Sequence, residues 1–193
     1  MNALSPRSRV VRIAAPLLAL LMALGCSTVV RPFVHIKPDY SEVPEDALRE
    51  AALEIEKAVQ AGKRDAQIAD RAGLVLDAES IRQAIRTRAA RAELLNEFLD
   101  TGHVYEGNRG LVVILRTKAY KEATTRRQRD RNALLVMGEN NNRWAIYEGL
   151  IKAGDLSPKS LSAIQDAFRQ ARAQCMKTGQ KYEEAAGEIV VKR

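Results

Sequence analysis

The sequence predicts an α+β fold, mostly helical, with about five helices and a small sheet made from a central strand and a C-terminal β-hairpin. Three observations carry that expectation. Apolar residues recur at spacings of three and four along segments that close on glycine. LVVILR at 111–116 is a continuous β-rich run, and QKYEEAAGEIVVKR at 180–193 places two β-prone stretches around an Ala-Ala-Gly turn.

The chain opens on Arg7, Arg9 and Arg12 ahead of an uncharged apolar run from residue 13 to 24, which closes on Gly25 and Cys26. That pattern predicts an export signal over residues 1–25. The run is well short of the ~20 residues of a membrane-spanning helix, and Pro16 would disturb one near its start. The ending Ala23-Leu24-Gly25-Cys26 resembles the lipobox of bacterial lipoproteins, which implies cleavage before Cys26 and lipidation of its sulfur. An ordinary secretory signal with a chance cysteine is the alternative. Ser27, rather than aspartate, implies sorting to the periplasmic face of the outer membrane. Several acyl chains, at about 0.8 kcal/mol per buried methylene, anchor stably where a single chain does not. Residues 26–40 then read as a tether carrying a candidate short strand at 33–37, and residues 41–193 as a single domain.

Without the leader, which holds three arginines and no acids, the formal charge of +7 becomes +4. In an exported protein this excess points to anionic lipid headgroups or an acidic partner, and no nucleic-acid partner is expected. Aromatics are only 5%, so the core must be aliphatic. Once Cys26 is assigned to lipid, Cys175 has no intramolecular partner, and no disulfide framework is expected.

Pro44, with Glu45 and Asp46 behind it, starts the first helix, whose stripe is Leu48, Ala51, Ala52, Ile55 and Val59 and whose end is Gly62. A short helix is expected at 66–72, stopping at Gly73. Asp77 then caps a longer helix with Ile81, Ile85, Ala89, Ala92, Leu95 and Leu99 on one stripe, ending at Gly102. Arg82, Arg86, Arg88 and Arg91 fall off that stripe, as either a solvated face or a docking surface for an acidic partner.

Gly102 reads as a helix stop, and Gly107 and Gly110 as turn residues that aim Leu111 into the sheet. They lack the lysine-serine ending of a nucleotide-binding glycine loop. A polar helix runs from about 119 to 151, with a break expected near Gly138. Ser157-Pro158 opens the last helix, striped by Leu161, Ile164, Phe168, Ala171 and Cys175. On that line Cys175 reads as an inert core thiol.

Asn140, Arg143 and Tyr147 share a helix face by their spacing. Two readings stay open: a polar face that clasps the 106–110 loop or a partner strand, or residues that close the fold, with the Tyr147 ring buried. Glu106 is the loop carboxylate that could accept from Arg143, and Asn108 is its polar neighbour. His35 and His103 are the only histidines, and neither a hydrolase or protease motif nor a metal-spaced Cys/His cluster appears. His103 with Glu106 would still need a nucleophile and an oxyanion donor. The chain therefore reads as non-catalytic, with no cofactor.

The strings RTRAARAELLNEFLDTGHVYEGNRGL, ENNNRWAIYEGLIKAGDLS, GQKY and the terminal IVVKR resemble the YdbL-like family of bacterial envelope proteins, over roughly residues 78–193. Tyr105 stands where many members have glycine, and Asn142 where aspartate is common. The resemblance implies an accessory, chaperone-like role beside an AsmA-like protein that bridges the two membranes for phospholipid traffic, together with a small lipoprotein. With the helix-face, loop and off-stripe arginine readings above, Glu106, Asn108, Asn140, Arg143, Tyr147, Arg86, Arg88 and Arg91 are the candidate partner contacts. A structural envelope scaffold that binds peptidoglycan or another lipoprotein is the second reading.

Overall fold

In the structure, a computed structural model that describes residues 37–193, apolar periodicity resolves into helices wrapped on one side of a small sheet. The expected leader, Cys26 and all but the last residue of the candidate strand at 33–37 lie outside the described residues. In chain order the helices are α1 (Glu45–Gln60), α2 (Glu79–Ala89), α3 (Ala92–Asp100), α4 (Lys118–Ala123), α5 (Arg126–Ala153) and α6 (Leu161–Cys175). The strands are β1 (Val104–Glu106), β2 (Val112–Ile114), β3 (Lys181–Glu183) and β4 (Ile189–Val191). The α+β class is as the sequence predicts.

The α1 stripe is buried as expected, and Gly62 ends the helix at φ 66°. It packs along α6, while α2 packs along α5. These four helices enclose one hydrophobic cluster around Leu48, Ile55, Ile81, Ile146 and Phe168. A second cluster, Leu95, Phe98, Leu99, Val104, Val112, Tyr120 and Val136, lies between α3, the β1–β2 hairpin, α4 and the middle of α5.

Five expectations are corrected. Residues 66–72 form no helix: only Ile68 among them is buried, so no apolar stripe forms, and Asp70 accepts from the Leu76 and Asp77 amides at 2.7 and 2.9 Å. Arg71 and Leu74 exchange backbone hydrogen bonds across a turn whose third residue, Gly73, takes φ 75°. The long helix after Asp77 is two helices, broken at Ala90–Arg91, where Arg91 adopts φ −114°, ψ 0°. The bend lets α2 face the first cluster and α3 the second. Asp77 does not cap it, because its carboxylate is taken by Arg82.

The 119–151 helix also divides, but at Thr124 and not at Gly138. Thr125 and Gln128 form a capping box that starts α5 anew. Gly138 lies within the helix, and the Arg91 guanidinium occupies the space a Cβ there would take. Finally, 104–106 is a strand where a loop was expected. β1 pairs antiparallel with β2 and parallel with β3, and β3 pairs antiparallel with β4, giving the order β2-β1-β3-β4. That short strand connects the central run to the expected terminal hairpin.

Candidate functional site

Where the two clusters meet, six charged side chains from five elements close a ring. Glu56 of α1, Arg88 of α2, Glu139 and Arg143 of α5, Glu106 of β1 and Arg172 of α6 are each at most 5% exposed. Their signs alternate around it. Arg88 donates to both oxygens of Glu56 at 2.9 and 2.8 Å and through Nε to Glu139 at 2.9 Å. Arg143 donates through Nε to the same Glu139 oxygen at 2.7 Å and grips both oxygens of Glu106 at 2.5 and 2.8 Å. Arg172 closes the circuit, with Nη1 3.0 Å from Glu56 and Nε 3.1 Å from Glu106. The last contact is off the hydrogen-bond line, so it acts as charge on charge.

Each carboxylate thus faces two guanidiniums. Burial alone would raise each acid's pKa, but the arginines override it: Glu56 and Glu106 are held below the ordinary carboxylate range, and Glu139 falls to about 2. Reciprocally, the carboxylates hold Arg88 and Arg143 above the usual arginine value against the opposing effect of burial. A cavity of about 20 Å³, room for about one water, borders the ring beside Leu95 and Leu99.

The ring is also tied to the glycine loop. The Gly110 carbonyl accepts from Tyr147 Oη at 2.8 Å and from Arg172 Nη2 at 2.9 Å. Gly110 sits at φ 72°, and a Cβ there would come within 2.6 Å of Arg172 and 2.8 Å of Tyr147. The loop is therefore clasped from inside the protein, by Arg143 on Glu106 and by Tyr147 on Gly110. Of the expected partner contacts, Glu106, Arg143, Tyr147 and Arg88 are buried, and a partner reaches them only if the core opens.

Asn108 and Asn140 are half-buried and hold strands in place. Asn108 gives its backbone N–H and its side-chain amide to the two oxygens of Glu183 at 2.9 and 3.1 Å. Asn140 accepts from the Val112 N–H at 2.8 Å and donates to the Val112 carbonyl at 2.9 Å. Arg86 is exposed, 3.7 Å from Asp65, and the half-buried Arg91 donates to the Thr87 carbonyl. Arg88 is corrected from the off-stripe face to the core: it lies seven residues after Ile81, on the buried line. Glu56, Glu139 and Arg172 were not singled out in the sequence, although each sits at a buried stripe position, four after Ala52, three after Val136 and four after Phe168.

His103 and Glu106 do not form a pair. The imidazole lies 5.4 Å from the Tyr120 ring, and the carboxylate is occupied by Arg143 and Arg172. Cys175 is half-buried, and burial pushes its thiol pKa up, the inert direction. Among the described residues no acidic, cysteine or histidine group could hold a metal ion, and no helix is long and apolar enough to cross a membrane.

The sheet has two unlike edges. In the β1–β2 ladder Gly107 bonds Leu111 and Leu115 bonds His103, so Val112 and Ile114 turn their peptide groups outward. Asn140 occupies the outward groups of Val112 as a neighbouring strand would. In the β3–β4 ladder the bonds Lys192 to Gln180 and Glu184 to Glu188 direct the Ile189 and Val191 peptide groups outward. No backbone hydrogen bond among the described residues reaches them, and their side chains are 41% and 51% exposed. Comparison with protein-family models, curated proteins and solved structures finds no match to this chain.

Proposed function

We propose that this chain is a lipid-anchored accessory protein on the periplasmic face of the outer membrane, which holds an extended segment of a partner polypeptide along β4. The observation that carries the reading is the inequality of the two edges: β2 is closed at Val112 by Asn140, whereas β4 presents two outward peptide groups and two exposed aliphatic side chains. Strand addition draws affinity from such backbone groups, and the flanking Glu188 and Lys192 select a segment of complementary charge. The ring beneath fixes β1, through Glu106, to α5 and α6, so the edge sits on a braced frame.

The leader and its lipobox-like ending support the anchor. The resemblance to the YdbL-like family supports the partners, an AsmA-like intermembrane bridge protein and its small lipoprotein, and a chaperone-like role without catalysis. The test is affinity capture of the full-length protein from gently solubilised envelopes, comparing wild type with Ile189→Pro and Val191→Pro. Either proline removes only an outward N–H, which an edge strand tolerates. The expected result is recovery of the two partners by wild type and their loss from the proline variants at unchanged melting temperature. Retention of both partners by both variants overturns the β4 assignment, and recovery of peptidoglycan-associated proteins instead favours the scaffold reading.

A further inference from the structure

Charge is distributed unevenly along the chain. Residues 116–131 contain seven cations and two acids, a net +5, although the whole chain after the leader carries only +4. Arg116, Lys118 and Lys121 follow β2 into α4, and Arg126, Arg127, Arg129 and Arg131 occupy the first turns of α5. Arg129 is tied to the Thr124 carbonyl and Lys118 lies 3.6 Å from Glu122, but Arg116, Lys121, Arg126, Arg127 and Arg131 are exposed and form no ion pair among the described residues. Their positive field is not neutralised within the fold.

Apolar residues protrude beside these cations. Arg127, Arg131 and Leu134 follow one another on one helix face, Met137 is one turn further on, and Leu134 and Met137 are 62% and 54% exposed. Met137 and Val113 also line an open groove of about 440 Å³ between β2 and α5, with Arg116 among its lining. An extended peptide would find little to pair with there, because Asn140 already holds Val112 and leaves Ile114 as the one outward strand residue of β2. Exposed cations with no ion-pair partner among the described residues, next to protruding aliphatic side chains, match a surface whose negative charge is diffuse and whose interior is apolar.

We infer that this end of the molecule, centred on Arg127, Arg131, Leu134 and Met137, docks on an anionic phospholipid bilayer. The contact is separate from the β4 edge and does not rest on the proposed acyl anchor. Leu134 and Met137 enter the headgroup boundary while the arginines reach the phosphates around them. A chain beginning at Ser27 tests this directly, because both hydrophobic clusters and the charge ring lie between Val43 and Met176 and are retained without the leader or lipid.

The experiment is co-sedimentation of that chain with phosphatidylcholine vesicles, with and without a minority of phosphatidylglycerol. Binding is expected only to the anionic vesicles and should fall as salt rises. Arg127→Glu with Arg131→Glu should weaken it by at least about 30-fold, at about 1 kcal/mol per cation near an anionic surface. The matched reversal Lys152→Glu with Lys159→Glu, beginning roughly 30 Å further along α5, should change it by less than about threefold. Leu134→Ser with Met137→Ser should lower it by about tenfold. The inference is overturned by equal binding to neutral vesicles, by no binding to anionic ones, or by equal losses from the near and distant charge reversals at an unchanged circular-dichroism melt.

Discussion

Arg143 and Arg131 lie on the same helix, twelve residues and roughly 18 Å apart, in opposite circumstances. Arg143 is 1% exposed and bound to two glutamates from different elements; Arg131 is exposed and forms no ion pair among the described residues. The middle of α5 is covered by α2, α6 and the hairpin, and Glu56 of α1, Glu106 of β1 and Glu139 of α5 itself supply one carboxylate for each buried arginine. The start of α5 extends past them. A guanidinium thus becomes a staple where the fold supplies a matching acid, and an external contact where it does not.

The largest effect should come from breaking the ring. Arg143→Ala leaves Glu106 and Glu139 each short of a partner in a buried site, and removal of one member of such a pair costs about 3–5 kcal/mol. A large fall in the thermal or urea midpoint is expected. An unchanged midpoint would mean that the buried and exposed arginines do not differ in the way proposed.

Acid should reveal the same ring. Glu139 has a folded pKa of about 2 against an ordinary value of 4.5, so it binds its proton less readily when folded. Its contribution, about 3 kcal/mol, is fully present above pH 4.5 and is lost as pH falls through about 2. Glu56 and Glu106 shift in the same direction. Urea midpoints measured from neutral to acid pH should fall steeply below 4.5, and Glu139→Gln should flatten that limb by starting from a lower plateau.

Much of the fold was legible because aliphatic stripes and glycine stops are local signals: α1, the body of α6, the strand after Gly110 and the terminal hairpin lie where the periodicity places them. The ring was only partly legible. The contact between Glu106 and Arg143 follows from their types, but the charge of Arg88 points to a solvated or docking face although its position, seven residues after Ile81, is on the buried stripe. Glu56 and Arg172 meet across 116 residues, and nothing near either in sequence announces the other. β1 leaves no sequence signal because a strand of three residues gives too short a window for alternation, and it is defined by its neighbours on both sides.

Gly110→Ala probes the same centre more gently. It forces a Cβ against Arg172 and Tyr147 at a positive φ, and a loss of about 2 kcal/mol is expected from strain and a displaced hydrogen bond. Asn140→Ala should cost less, about 1–2 kcal/mol, because the Val112 groups it satisfies are only partly shielded from water. It should also convert β2 into an open edge like β4. Increased self-association of Asn140→Ala, measured by light scattering, would show that one side chain separates the guarded edge from the available one, whereas an unchanged monomer fraction would weaken the contrast between them.

The smallest effect belongs to the exposed arginines. Arg127→Gln with Arg131→Gln removes two charges that touch no carboxylate among the described residues, so the change in stability should stay within about 0.5 kcal/mol. A slight gain is expected from Arg127, which lies in the first turn at the positive end of the α5 dipole, where a cation is unfavourable. A cation retained at that end, against the helix's own preference, is what an external anionic surface would explain. A melting temperature that falls by as much as in Arg143→Ala would instead show that these side chains are held by the fold, and the division between stapling and external arginines would fail.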